Sequence, residues 1–246
     1  MTPGCLPLLK PHTTSPLVNM PPCVQNSSHS RPCSNGPSMA QATSTGITLK
    51  GSVAIVTEFF EYAINNILYQ REVYPPTHFK KKSAYGLGLS VVNPDVDEKL
   101  ARYLSTVLDK VKTWLDEGTV QKLVLVIMTK ETAEKPSETL ERWVFDLQPS
   151  PASEKPVEKD RKEIQAEIAA IQRQIIASTS FMPMTDEARV FDLLVYTNED
   201  VETPGAWEES DAREFQENQS EQVQLRTLDT TKHKVESFVS YRLVED

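Results

Sequence analysis

Four histidines, His12, His29, His78 and His233, are the side chains best suited to hold a metal or move protons near neutrality, and they lie far apart in the chain. No His-Glu-x-x-His stretch sets two of them on one helical face, and no Cys-x-x-Cys pair exists, so the ligand spacing of a zinc site is missing. The three cysteines, Cys5, Cys23 and Cys33, all fall within the first 33 residues. The rest of the chain therefore has no thiol nucleophile, and it has no Gly-x-Ser-x-Gly elbow or Walker sequence. Gly86-Leu87-Gly88 supplies two glycines of a dinucleotide loop, but the third glycine and the helical pattern after it are absent. Glu208-Glu209 reads as a solvated pair and Glu245-Asp246 as an acidic end. No catalytic residue, metal ligand or cofactor site is assigned on these grounds, although sequence cannot pair distant carboxylates in space.

The chemistry that the pattern does support is non-covalent. Leu193 and Val195 alternate with polar or outward positions, as do Val239, Tyr241 and Leu243, and period-two apolar faces suit strands that add to a sheet. Burial in the core is the ordinary role for such residues. Trp207 stands in a long polar stretch, Asn198 to Gln222, whose only other aromatic is Phe215. It either tacks that stretch down or closes over a ligand. A structureless connection of this length within a domain usually has a function or moves.

Three helices and several strands must position these residues. Ser52 to Gln70 carries apolar residues at Val53, Val56, Phe60, Ala63 or Ile64, and Ile67, widened by Ile55, Phe59, Tyr62 and Leu68, so this helix is apolar almost all round and belongs at the centre. Asp95 to Glu117 repeats Leu100, Leu104, Val107, Val111 and Trp114, with Asp95 or Asp97 as cap and Gly118 as stop. Glu158 to Ala177 has an isoleucine stripe at Ile164, Ile168, Ile171 and Ile175 and a polar opposite face that includes Arg173. Leu123 to Met128 reads as a strand buried on both faces, and Thr139 to Leu147 as its hairpin partner. Further strands are expected at Val190–Tyr196, Val223–Leu228 and Phe238–Val244. Adjacent strands without βαβ alternation predict an α+β fold, with helices on an antiparallel sheet.

The formal net charge of −9 opposes a nucleic-acid-binding surface, and Lys80-Lys81-Lys82 reads as a solvated loop. No apolar run approaches the about 20 residues of a membrane span, and the leucines near the start are interrupted by Pro3, Pro7 and Pro11, unlike an export signal. Cysteine usage suits a reducing compartment. Residues 1–45 are rich in Pro, Ser, Thr and Asn with few aliphatics, which predicts a disordered extension. Organised sequence begins near Gly46 and runs to Asp246.

Several motifs carry a resemblance. Gly46-Ile47-Thr48-Leu49-Lys50-Gly51-Ser52, Glu58-Phe59-Phe60 and Asn65-Asn66-Ile67-Leu68-Tyr69-Gln70-Arg71 resemble the start of a HORMA domain. Leu140-Glu141-Arg142-Trp143-Val144-Phe145-Asp146, Phe191 to Thr197, Trp207-Glu208-Glu209-Ser210 and Thr230-Thr231-Lys232-His233-Lys234-Val235 follow in the family's order, and the spindle-checkpoint branch is the nearest in character. The resemblance implies three helices on a central antiparallel sheet and a mobile C-terminal seatbelt of about residues 198–246, which exchanges between open and closed topologies and wraps a partner peptide. It implies a non-enzymatic adaptor of the nucleus, kinetochore and cytoplasm. Its expected partners are a kinetochore receptor of the mitotic arrest deficient one type, the cell-division-cycle coactivator of the anaphase-promoting complex, and a second conformer of itself. Peptide contacts would come from Leu193, Tyr196, Trp207, Val239 and Tyr241, and the dimer or regulator surface from Arg173, Gln174, Phe181 and Arg226. Phe181 suits core packing equally well. Other branches of the fold, the translesion-polymerase adaptor and meiotic axis proteins, are the alternatives, with an enzyme bearing an unrecognised site behind them.

Overall fold

The structure is a computed structural model that describes residues 8–11, 47–149, 159–184, 186–198, 207–216 and 218–243. Its centre is helix α1, Leu49–Gln70, which begins where the Thr48 hydroxyl accepts the Gly51 N–H at 3.1 Å. Val56, Phe59, Phe60, Ala63, Ile64, Ile67 and Leu68 are wholly buried, as an apolar stripe that nearly encircles a helix requires. Helices α2, Glu98–Asp116, and α3, Arg161–Ser178, pack on either side of it. Asp97 caps α2 by accepting from the Leu100 N–H at 3.0 Å, and Gly118, at φ +69°, lets the chain turn away from its end.

Between α1 and α2 lies a hairpin that periodicity did not reveal, β2 (Phe79–Ala84) and β3 (Leu87–Val92). Its two-residue turn, Tyr85-Gly86, has positive φ at both positions (54° and 71°), the backbone that matches the twist of paired strands. Lys80-Lys81-Lys82, expected in a loop, is strand, and its outward face is polar throughout, which is why no alternation marked it. The Lys81 and Lys82 ammonium groups sit 4.4 and 5.1 Å from the Tyr69 and Tyr62 ring centres. Inward, Leu89 and Val91 bury against Tyr62.

The main sheet combines β1 (Leu8–Pro11), β4 (Val120–Thr129), β5 (Thr139–Pro149), β6 (Arg189–Thr197), β7 (Trp207–Glu209), β8 (Ser220–Gln224), β9 (Leu228–Asp229) and β10 (His233–Arg242). The order is β7-β1-β6-β4-β5-β10-β8, with β9 also on β10, and every pair is antiparallel. The fold is α+β, as the element order predicts. Residues 8–11 correct the expectation of disorder over 1–45. The remainder of that segment, the loop 150–158, and residues 199–206 and 244–246 lie outside the described residues. The expected strand Val223–Leu228 is two strands, broken at Leu225, and β10 starts at His233 because the buried Val235 extends its apolar face by one more alternation.

Alternation gives the sheet two different faces. Leu123, Leu125, Ile127, Trp143, Phe145, Leu193, Val195, Val235 and Val239 meet the helices, and Val124, Val126, Met128, Val144 and Leu194 form a smaller cluster on the other side. Polar side chains lock the two layers in register. The Asn65 side-chain oxygen accepts the Val92 N–H at 2.7 Å, tying the hairpin to α1, and the Asn66 amide donates to Gln172 of α3 at 3.1 Å. Arg71, just past the end of α1 and 1% exposed, donates from Nε to Glu141 of β5 at 2.6 Å and from Nη2 to the Pro183 carbonyl at 2.6 Å. The second oxygen of Glu141 accepts the Trp143 indole N–H at 2.9 Å.

That pair gains little over an apolar filler, because desolvating two charges offsets most of their attraction, yet breaking it strands a buried charge. We therefore expect Arg71→Met to cost about 3–5 kcal/mol in chemical denaturation. We expect the double variant Arg71→Met/Glu141→Leu to recover much of that loss.

Candidate functional site

The sheet has one position filled by a strand foreign to its neighbours in sequence. On its inner side β6 pairs with β4 through nine registered positions, from Val120↔Thr197 to Thr129↔Arg189. Its outer edge pairs with β1, Leu8↔Tyr196 and Leu9↔Val195. The far edge of β1 pairs in turn with β7, Leu9↔Glu209, Lys10↔Glu208 and Pro11↔Trp207. The position between β6 and β7 is a slot one strand wide, and its walls present main-chain N–H and C=O groups.

Both walls of the slot are held from outside the sheet. Trp207 is buried with its ring edge-on to Trp114 of α2, 4.9 Å between centres, so β7 is pinned to the helical layer. Beyond β7 the chain crosses the second face, where Ala212 packs on the Val124–Val126–Val144–Leu194 cluster and Glu214 reaches Arg142 at 3.8 Å. It then enters β8 at the opposite edge. Seven strands in a row span about 29 Å at ~4.8 Å per spacing, and the 11 steps from Glu209 to Ser220 cover about 36 Å when extended. The strap makes this crossing with a turn before β8, where the Gln219 N–H donates to the Gln216 carbonyl at 3.2 Å. On this face Tyr196 lies under Lys122, 5.4 Å from ring centre to ammonium, and its hydroxyl accepts from Arg142 at 3.4 Å.

At the far edge β10 pairs with β5 from His233↔Pro149 to Tyr241↔Glu141. Polar contacts fasten this end to the helices. Ser52 Oγ of α1 lies 2.5 Å from Thr230 Oγ1 and 2.6 Å from His233 Nδ1, and Thr230 Oγ1 donates to the His233 carbonyl at 3.0 Å. One proton arrangement satisfies all three: His233 Nδ1–H to Ser52, Ser52 to Thr230, and Thr230 to the carbonyl. Lys159 bridges Glu167 of α3 and Asp229 of β9 at 2.7 and 3.2 Å, and Gln174 accepts the Arg226 N–H at 2.7 Å. Tyr241 donates to the Glu221 carboxylate at 2.7 Å, joining β10 to β8.

The sequence-derived candidates divide accordingly. Tyr196 and Trp207 register directly with β1, while Leu193, on the same β6, is wholly buried on the helix-facing side. Val239 and Tyr241 are not at the slot: they lie on β10, separated from β6 by β4 and β5, with Val239 opposite Trp143. Their alternation recorded membership of the sheet, which period-two patterning reports without saying which edge. Leu243 is exposed at 41%. Arg173, Gln174, Phe181 and Arg226 fall on one side of the molecule, along and beyond α3. Arg173 and Arg226 are exposed, and Phe181 is 48% exposed beside Tyr241, which favours a surface role over the core. Sequence reasoning missed β1 and the Trp114, Arg142 and Glu214 contacts that hold the strap. The signal for β1 was present as Leu8-Leu9 between Pro7 and Pro11.

A HORMA domain profile matches residues 52–233. The chain belongs to the HORMA domain family. A Dictyostelium discoideum protein named mitotic spindle assembly checkpoint protein MAD2A is 50% identical over 209 residues, spanning 84% of this chain and 98% of the relative. The human protein of that name is 45% identical over 201 residues, 80% of this chain and 94% of its own. Among solved structures, a chain in a mitotic checkpoint complex superposes with a TM-score of 0.68 at 38% identity, over 78% of this chain and 99% of that one. The Caenorhabditis elegans protein HTP-2, bound to a closure motif of HTP-3, superposes with a TM-score of 0.64 at 12% identity, over 79% and 87%, and shares the fold.

Burial pushes the His233 pKa below its ordinary value, and Asp116 opposes this more weakly. Below about pH 6.5 the unfolded chain takes up a proton that the folded HORMA domain resists. The stabilisation is thus complete above that pH and is lost as pH falls toward the depressed value. We expect His233→Gln to show a smaller fall in melting temperature than the parent between pH 7.5 and 5.5, measured by differential scanning calorimetry.

Proposed function

We propose that the protein is a spindle-assembly-checkpoint adaptor that takes a partner's peptide as the strand between β6 and β7 and holds it under the crossing strap. The observation that carries this reading is the slot itself: a strand pairs there on both edges, while β10 occupies the opposite side of the sheet. Antiparallel pairing supplies sequence-independent main-chain bonds, and the buried face next to α2 supplies selectivity. The identity to checkpoint relatives over nearly their whole length supports the biological setting. The partners this reading assigns are a kinetochore receptor of the mitotic arrest deficient one type and the cell-division-cycle coactivator, whose capture restrains the anaphase-promoting complex. Residence at kinetochores, in the nucleus and in the cytoplasm follows from those partners. Within the slot, Tyr196 and Trp207 are the contacts the reading assigns; Arg173, Gln174, Phe181 and Arg226 form the surface for a second conformer or a regulator.

Removing residues 237–246 deletes most of β10 and the outer anchorage of the strap, while the α1–β4–β5–β6 frame keeps its buried ties. Pull-down from mitotic extract should lose the receptor and coactivator with this truncation and retain them with the parent. Undiminished capture would contradict the strap's role.

Arg173 is exposed on α3, so its replacement costs little folding stability, under about 1 kcal/mol. Charge reversal within an interface is far less tolerated. Arg173→Glu should melt like the parent and still capture peptide, yet sediment as monomer wherever the parent sediments as dimer. Unchanged dimers would remove Arg173 from that surface.

A further inference from the structure

The strand in the slot belongs to this chain. Leu8–Pro11 enters between β6 and β7, antiparallel to both. Among the described residues β7 pairs with β1 alone, so its ladder there is the far side of β1. We infer that the N-terminal segment around Leu8-Leu9-Lys10 is an internal closure strand, a resident occupant that partner peptides must displace. The inference rests on the slot reading above and names the slot's first ligand.

Three observations support occupancy by the same molecule. Residues 12–46 provide 35 residues between the strand and the helical start, up to about 115 Å of reach. A domain of some 200 residues has a radius of gyration of only about 16 Å, so every surface is within range. A tether of this kind holds its strand near the slot at an effective concentration on the order of millimolar, against which a micromolar partner competes poorly. The sequence also fits the width of the slot. Pro11 takes the last paired position, opposite Trp207, and since proline donates no main-chain hydrogen bond it suits the end of the ladder.

Occupancy then sets a threshold on the adaptor. Capture of a partner requires the internal strand to leave, and its departure also releases β7. A partner with the weaker strand is excluded until its local concentration exceeds that of the tether, so the segment makes the protein selective without adding any contact to the partner.

The test uses the full chain and its Leu9→Pro variant, which removes one main-chain donor and disfavours strand geometry within β1. The probe is a fluorescein-labelled synthetic peptide of residues 1–20, read by anisotropy. We expect the variant to bind this probe at least tenfold more tightly than the parent, and hydrogen exchange to show residues 193–197 and 207–209 protected in the parent and released in the variant. Equal probe affinity in the two proteins would overturn the inference. Failure of both to bind the probe, with the variant still capturing receptor or coactivator from mitotic extract, would overturn it and leave the slot reading standing. Failure of both to bind the probe or either partner would overturn the slot reading as well. Protection that appears only in a dimeric fraction by sedimentation velocity would overturn occupancy in cis and assign the strand to a second copy.

Discussion

An open sheet must satisfy the main-chain groups of its outermost strands, and the outer edge of β6 is where that requirement shapes this molecule. β6 is long, and its centre is buried on both faces, Leu193 and Val195 toward the helices and Leu194 toward the strap. A bare edge of that kind attracts any available strand. With β10 paired to β5, the strand that fills the place among the described residues is β1. The β1 strand, β7 and the crossing strap all follow from that one vacancy, and the recognition chemistry is the chemistry of completing a sheet.

The ties within the helical frame differ in kind from the polar ties of the C-terminal end. The frame is α1 with its neighbours, tied to β5 through Arg71–Glu141, to the hairpin through Asn65 and to α3 through Asn66. These bonds run between elements whose relative positions a topological exchange would leave alone. The C-terminal end is fastened differently. Its ties are hydroxyls, a neutral histidine and ion pairs that keep some water contact, such as Lys159 with Glu167 and Asp229. Bonds of that type contribute modestly, because water compensates much of what is lost on breaking them.

Most of the frame was legible in sequence for a physical reason: α2 and α3 each have one dominant buried stripe, β4 has an unbroken apolar run and β5 a clear alternation. The α1 pattern, apolar nearly all round, correctly placed that helix between two others. The hairpin β2–β3 was invisible because its outer strand is Lys80-Lys81-Lys82-Ser83, whose only pattern is exposure. The site was legible in part. Trp207 announced itself as a lone aromatic in a polar stretch, and the structure shows the tacking reading, with its ring edge-on to Trp114 of α2. Val239 and Tyr241 were misplaced because alternation fixes a face and is silent about order within the sheet. β1 was the hardest to see. Its composition argues for disorder, and only a vacancy elsewhere in the fold gives Leu8-Leu9-Lys10 a reason to be a strand.

The strap's path explains how so short a ligand strand can be held. Main-chain bonds contribute about 0.5–1.5 kcal/mol each, so a few of them alone would give weak and fast-exchanging association. Here β7 can form its ladder only when the slot is filled, and β7 is in turn anchored by Trp207 on Trp114 and by the strap's passage over Val144 and Leu194. Filling the slot and closing the strap are therefore one cooperative event. Release needs the reverse, in which the strap must lift from the second face before the strand can leave. The barrier resides in the protein's own packing and is largely independent of the ligand's sequence. Affinity in such a device comes from slow release, and selectivity comes from whichever strand occupies the slot before the partner arrives.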